Sequence, residues 1–99
     1  MKPLPPTPEL LAVARRVVWF KEPDEALADP VHFLAHVMTY GTMEDLQALV
    51  GIVGKSEFCE VLEQGPPGIF DARSWSYWHC VCGRQTVPPL PQRHWPEGL

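Results

Sequence analysis

The stretch "DPVHFLAHVMTYGTMED", which runs from Asp29 to Asp45, contains the signals that decide the fold. Asp29 followed by Pro30 is typical of a helix start, because an N-cap side chain precedes a proline whose φ already suits a helix. The apolar residues after it recur at helical spacing, at Phe33, Leu34, Val37 and Met38. The pattern predicts a helix that begins after Asp29 and buries one side.

A second helix is predicted directly after the first. Gly41 stands where a C-terminal cap glycine would end the first helix. Thr42, with Asp45 three residues later, forms a capping-box pattern in which Asp takes the position that Glu usually holds. The apolar side of this second helix would consist of Leu46, Leu49 and Val50.

The rest of the chain also shows helical signals. Thr7 is a candidate N-cap for a helix that carries "ELLAVARRVV", and "SEFCEVLEQ" predicts another helix. Asp71 can cap a last helix, "ARSWSYWHCVC", which Gly83 would end. The segment "KEPDEALADP" is predicted to be a loop with at most one turn. Since no segment alternates with a period of two, we predict an all-α fold of four or five helices.

The prolines divide the chain into three parts. Four of the twelve prolines fall in the first eight residues and four in the last twelve. Proline is poorly tolerated inside helices, so both ends should be extended. We predict an extended arm over 1–6, a single helical domain over 7–84 and a proline-rich extended tail over 85–99.

The stretch "LVGIVGKS", from Leu49 to Ser56, ends like a phosphate-binding loop. Leu49, however, stands where the first glycine of that loop is needed, and a helix precedes the stretch where a buried strand should stand. We therefore predict a glycine turn, with Ser56 capping the following helix. That helix carries Glu57, Glu60 and Glu63 on one side, which argues against a DNA-reading helix because carboxylates repel phosphates.

Charge and hydropathy exclude two kinds of partner. The formal net charge is −4, and no basic run is longer than Arg15-Arg16, so nucleic acid is not the expected partner. No apolar run approaches the ~20 residues of a membrane span, so no membrane partner is expected. Without a signal-peptide pattern, we expect a cytoplasmic protein.

The three cysteines are predicted to be reduced thiols, because their number is odd and no secretory pattern is present. Cys80 and Cys82 would point about 200° apart on a helix, so they cannot hold one ion together. His79 and Cys82 share a side with two tryptophans, which favours core packing over metal binding.

His32 and His36 stand four residues apart, a spacing at which two imidazoles can reach one metal. The apolar stripe of their helix is predicted to leave both on the solvent face, without an obvious third ligand. No nucleophile and base have a reason to meet. We predict no metal site, no cofactor and no catalytic residues, and hence not an enzyme.

The last helix is apolar on too many sides to be explained by one core face. Its first face is defined by Trp75, Trp78, His79 and Cys82. Tyr77 and Val81 lie elsewhere on the helix, with Arg73 and Arg84 near them. Two alternatives stay open, because either the tail folds back over Tyr77 and Val81 or another protein covers them. The candidate partner-binding residues are Arg73, Tyr77, Val81 and Arg84.

The order "VVWF", an acidic linker, the stretch quoted first, "FCEVLE" and "SWSYWHCVCG" resembles a group of small bacterial helical proteins, between Val17 and Gly83. Many members are encoded beside nucleotidyltransferase-type toxins of abortive-infection systems. The matched positions are Trp19, Tyr40, Gly41, Asp45, Tyr77 and Trp78. Gly41 and Asp45 already have capping roles. Trp19 and Trp78 are assigned to the core, so only Tyr77 is left for a partner.

The resemblance implies an antitoxin-like or partner-binding role and carries over no catalytic residue. Together with the last helix, it predicts a protein–protein interaction module. Its partner would be another protein, either a toxin-like one or a second copy of this chain. The alternative is an acidic helical regulator that binds nucleic acid or a metal ion.

Overall fold

A computed structural model describes residues 2–49 and 51–91. Within these ranges every regular element is a helix, so the predicted all-α fold is confirmed. The six helices are α1 (Pro8–Val17), α2 (Pro23–Ala28), α3 (Pro30–Tyr40), α4 (Met43–Leu49), α5 (Lys55–Gln64) and α6 (Ala72–Val81). The additional helix is α2, which forms where at most one turn was predicted, because a leading proline and two acidic residues favour a helix start.

Two of the predicted helix starts are confirmed by a hydrogen bond to the N-cap side chain. The Thr7 hydroxyl accepts a hydrogen bond from the Leu10 N–H at 3.3 Å, and the Asp71 carboxylate accepts one from the Ser74 N–H at 2.7 Å. These bonds satisfy N–H groups that have no partner inside the helix. Asp29 occupies the N-cap of α3 without such a bond, so Pro30 alone provides the local signal there.

The α3 helix lies at the centre of the domain and packs against all five other helices. Phe33, Leu34 and Ala35 are fully buried, although they are consecutive and therefore face different directions. Burial of each large apolar side chain stabilises the fold by about 1.5–3 kcal/mol. The stripe predicted for one side of α3 therefore understates its burial, because neighbours cover it on several sides.

Gly41 ends α3, as predicted, but not in the left-handed conformation of a usual cap glycine. Its φ of −73° and ψ of 159° are extended values that any residue can adopt. A side chain is excluded by space, since a Cβ at this position would lie 2.6 Å from the Val37 carbonyl oxygen. Glycine lets the chain pass close to the end of α3 and start α4 two residues later.

The predicted capping box at the start of α4 is present. The Asp45 carboxylate accepts a hydrogen bond from the Thr42 N–H at 2.9 Å, and the Thr42 hydroxyl accepts one from the Asp45 N–H at 3.3 Å. Asp45 is only 1% exposed and also forms an ion pair with Arg16 of α1. Burial alone would raise the pKa of Asp45, but the Thr42 N–H, the Arg16 guanidinium and the Thr42 hydroxyl together lower it below the ordinary value.

Trp78 of α6 provides the hydrogen-bond donor for the Met38 carbonyl, which the end of α3 leaves without a helical partner. The Thr42 N–H, which would bond the Met38 carbonyl if α3 continued, is donated to Asp45 instead. The Trp78 indole N–H donates a hydrogen bond of 2.8 Å to that Met38 carbonyl oxygen. A contact across 40 residues of sequence thus satisfies a buried acceptor that α3 leaves open.

Both extended ends pack on the helices where they are described. The Leu4 N–H donates to the Leu27 carbonyl at 3.0 Å, and the Leu4 side chain is buried. The Trp75 indole N–H donates to the Pro88 carbonyl at 2.8 Å. The described part of the tail therefore folds back on the Trp75 side of α6, and residues 92–99 of the predicted tail lie outside the described residues.

Among residues 2–49 and 51–91, no helix has the length and apolar character needed to cross a membrane.

We predict that Asp45→Asn lowers the free energy of unfolding by about 1.5–3 kcal/mol at pH 7, because it weakens charge-assisted hydrogen bonds in a buried position. The lowered pKa means that the carboxylate stabilises the fold above its ordinary value of 3.8. This contribution is lost as pH falls through the lower, folded-state value. Urea unfolding between pH 7 and pH 2.5 should show the gap between wild type and variant closing in acid.

The control for this prediction is Glu44→Gln, which removes an exposed carboxylate from the same helical turn. Glu44→Gln should lower the free energy of unfolding by less than about 1 kcal/mol. A gap between wild type and Asp45→Asn that stays constant down to pH 2.5 would contradict the role given to the Asp45 charge.

We predict that Trp78→Phe lowers the free energy of unfolding by about 1–3 kcal/mol, because the buried Met38 carbonyl loses its hydrogen-bond donor. The matched control is Trp19→Phe, which changes a ring that is 77% exposed and should leave stability within about 0.5 kcal/mol of wild type. Thermal unfolding followed by circular dichroism measures both. Equal effects of the two substitutions would rule out the capping role of the Trp78 indole.

Candidate functional site

An apolar groove runs between the α4–α5 turn, the start of α5 and the end of α6. Its volume is about 390 Å³, and its lining consists of Gly51, Val53, Gly54, Lys55, Phe58, Trp78 and Val81. The rings of Phe58 and Trp78 are stacked inside it, with centroids 5.2 Å apart and planes 26° apart. Lys55 is the only charged residue in that lining. The groove thus offers an aromatic platform with one basic group at its edge.

The turn that borders the groove is the stretch that resembles the end of a phosphate-binding loop. Gly51 has a φ of +91°, which favours glycine, and the turn joins two helices as predicted. Gly54, not Ser56, is the N-cap of α5, because Glu57 reaches back to accept the Gly54 N–H at 2.8 Å. This hydrogen bond lowers the pKa of Glu57 below its ordinary value. The turn leaves Ile52 exposed between Gly51 and Val53, which line the groove.

The structure brings together part of the predicted partner-binding set. Val81 lines the groove, and the exposed Tyr77 ring lies edge-on to Trp78, with centroids 5.4 Å apart. The Arg84 guanidinium instead pairs with the Glu63 carboxylate of α5 at 2.7 Å. Arg73 is exposed at the start of α6. Of the two alternatives for Tyr77 and Val81, coverage by the tail is not seen in the described residues, because residues 85–91 run along the Trp75 side.

The spacing of Phe58, Val61 and Leu62 in "SEFCEVLEQ" predicts that all three face inward, and this prediction misses the part of Phe58 in the groove. In the structure Phe58 is half-buried and its ring extends the Trp78 surface. The available signal was the turn itself, which carries Ile52 and Val53 between two glycines where polar residues are usual. The predicted core face of α6 is confirmed for Trp75, Trp78 and His79, which are buried.

A disulfide joins Cys59 of α5 to Cys82 at the end of α6. The prediction of reduced thiols is therefore wrong for these two cysteines, and Cys80 is left as an exposed thiol. The number of cysteines could not show this, because the packing of α5 on α6 is what brings the two Cα atoms to 5.9 Å, a separation that disulfides require. The cytoplasmic location stays a prediction. The disulfide argues against it, because disulfides persist mainly in oxidising compartments.

A second surface contains aromatic rings from the α1–α2 turn and from α3. Trp19 and Phe20 lie edge-on at 5.7 Å, and Phe20 contacts His36 at 5.5 Å between centroids. The assignment of Trp19 to the core is wrong, because the chain turns away from the core immediately after Val18 and leaves the ring exposed. The ring of Tyr40 lies next to His36, with centroids 6.1 Å apart.

The prediction that His32 and His36 both lie on the solvent face is wrong. Phe20 packs against both rings, so His36 is buried and His32 is partly buried. The His36 Nδ1–H donates to the His32 carbonyl oxygen at 2.9 Å, because a carbonyl can only accept. Burial lowers the pKa of His32, and the charges of His36 and Lys21 lower it further. The charge of Asp29 raises this pKa but does not outweigh them. In the described part of the chain, no three or more His, Cys, Asp or Glu side chains form a group that could hold a metal.

Comparison with known proteins gives no further identification: no protein-family model matches the chain, and no curated protein or solved structure shows significant similarity to it. The resemblance noted from the sequence stays a prediction. Trp19 and Tyr40 lie at the second surface, Gly41 and Asp45 at the α3–α4 junction and Tyr77 beside the groove. Trp78 contacts both the junction and the groove.

We predict that replacing both Cys59 and Cys82 by serine lowers the free energy of unfolding by about 3 kcal/mol, as expected for a cross-link between residues 23 positions apart. Dithiothreitol should produce the same loss in the wild-type protein, measured by urea unfolding. Cys80→Ser is the matched control and should unfold like wild type in either redox state. Three reactive thiols in unreduced, denatured protein would contradict the disulfide.

Proposed function

We propose that this chain is a protein-binding module without catalytic activity, and that the groove between α5 and α6 receives an apolar anchor from another protein. The observation that carries the proposal is the Phe58–Trp78 platform, bordered by the exposed residues Tyr77 and Val81. Tyr77 is 57% exposed, although its ring contacts the platform. Contiguous exposed apolar surface of this kind is typical of interaction sites.

The size of the groove supports a short amphipathic segment as the occupant. A volume of about 390 Å³ accommodates one or two large apolar side chains. A partner helix would place such side chains three or four residues apart along one face, the usual arrangement for a helix in a groove. Tyrosine is among the residue types that most often supply the binding energy of an interface, and Tyr77 is exposed at the edge of this groove.

Charge around the groove supports a partner with acidic residues beside its apolar anchors. Lys55 lines the groove, and Arg73 lies exposed one turn before Tyr77 on the same side of α6. The Glu57 carboxylate is engaged by the Gly54 N–H. With a net charge of −4 and no basic run longer than Arg15-Arg16, the chain favours a protein over nucleic acid as the partner. An antitoxin-like role, with a toxin-like protein as partner, is the form of this proposal that the sequence resemblance suggests.

We predict that a photo-cross-linking amino acid at position 77 captures a single partner in the native host, and that the same group at Glu9 on α1 does not. With the purified partner, Val81→Asp and Tyr77→Ala should each weaken binding at least tenfold, about 1.4 kcal/mol. The matched control is Val87→Asp, which places the same charge on an exposed valine outside the groove. Isothermal titration calorimetry measures the affinities, which should fall as salt increases.

Two results would overturn this proposal. If position 77 cross-links only to a second copy of the chain, and sedimentation shows a dimer that Val81→Asp dissociates, the groove is a self-association surface. If both groove variants bind the captured protein as tightly as Val87→Asp does, the partner uses another surface. Circular dichroism of each variant separates lost binding from lost folding.

A further inference from the structure

A concave site separate from the groove lies between the end of α1, the turn after it and α3. Its volume is about 370 Å³, and its lining consists of Arg16, Val17, Trp19, Phe20, His36 and Tyr40. None of these residues lines the groove between α5 and α6. Its volume lies within the range of small-molecule sites.

The lining divides into a buried floor and an exposed rim. Val17 and His36 are buried and form the floor. Trp19, Phe20 and Tyr40 are 77%, 52% and 64% exposed and form the rim. Three exposed aromatic rings around one concavity offer faces and edges on which a planar ring can stack.

Arg16 adds a fixed positive charge to this rim. Its guanidinium forms an ion pair with the buried Asp45 carboxylate, while its side chain stays 57% exposed. A guanidinium carries five N–H donors, so the contact with Asp45 leaves others for a ligand. Asp45 is itself held by Thr42, as described above, so the position of Arg16 is set before any ligand arrives, which reduces the entropic cost of binding.

We infer that this site binds a small molecule made of a flat aromatic ring and an anionic group. The ring stacks among Trp19, Phe20 and Tyr40, and the anion accepts hydrogen bonds from Arg16, as carboxylates and phosphates do. A cationic ligand is disfavoured, although aromatic rims often bind cations, because the guanidinium occupies the rim. The His36 Nδ1–H is already donated to the His32 carbonyl, which leaves Nε2 as the ring nitrogen of His36 available to a ligand.

The test is a titration of the purified full-length chain with matched probes, followed by ¹H–¹⁵N NMR. The indole N–H signal of Trp19, assigned by its loss in Trp19→Phe, reports binding at the rim. 4-Hydroxyphenylacetate supplies ring and carboxylate, tyramine replaces the carboxylate by an ammonium, and cyclohexylacetate replaces the planar ring. Phenyl phosphate distinguishes a phosphate from a carboxylate preference. We expect the two anionic aromatic probes to bind with Kd of about 1 mM or tighter, a value typical of small ligands.

Variants separate the contribution of the rings from that of the charge. Trp19→Ala and Tyr40→Ala should each weaken the binding of 4-hydroxyphenylacetate at least tenfold, and both positions are exposed enough to spare the fold. Arg16→Gln should reduce the preference for 4-hydroxyphenylacetate over tyramine at least tenfold. Tyr77→Ala removes a comparably exposed tyrosine from the other surface and should leave the affinity unchanged.

Three outcomes would overturn the inference. An unmoved Trp19 indole signal at 5 mM of either anionic aromatic probe means that the site does not bind this class. Equal affinities for tyramine or cyclohexylacetate mean that the charge or the planar ring is not recognised. A dimer that Trp19→Ala dissociates, measured by sedimentation, would show that a second copy of the chain covers the rim instead.

Discussion

The end of α3 is the constraint on which the rest of the structure depends. A buried helix cannot stop without partners for its last carbonyl groups, and the next helix needs partners for its first N–H groups. Here a single residue, Gly41, separates the last residue of α3 from the N-cap of α4, and it has no room for a side chain. The open groups are satisfied by Trp78, 40 residues away in sequence, at the Met38 carbonyl and by the nearby Asp45 at the Thr42 N–H. Through Arg16 and Trp78, this junction ties α1 and α6 to the centre of the domain.

The same two side chains set the geometry of both candidate surfaces. Trp78 donates its indole N–H to α3 and presents its ring to Phe58 in the groove. Arg16 pairs with Asp45 and presents the remainder of its guanidinium to the aromatic rim. A side chain held by a buried hydrogen bond loses little further freedom when a ligand binds. The interactions that close the helix ends therefore also fix side chains at both candidate surfaces.

The groove has a further constraint in the bond between Cys59 and Cys82. Cys59 follows Phe58 and Cys82 follows Val81, so the cross-link joins the two walls beside residues that line the groove. Packing of α5 on α6, and not the cysteine pattern, creates this bond. The aromatic rim arises in a similar way, because hydrophobicity assigned Trp19 to a core that the chain has already left at that point. In both cases the physical cause is the direction in which one element meets another.

The sequence by itself determined the helical class, most helix boundaries and the caps at Thr7, Thr42 and Asp71, because these depend on groups within four residues of one another. Thr7, Asp71 and the reciprocal pair Thr42 and Asp45 act in the structure as their spacing predicted. Tertiary structure alone decided the exposure of Trp19, the burial of His36, the disulfide and the groove around Phe58. Each of these depends on contacts between helices that are distant in sequence, and local spacing carries no information about which neighbour covers a given face.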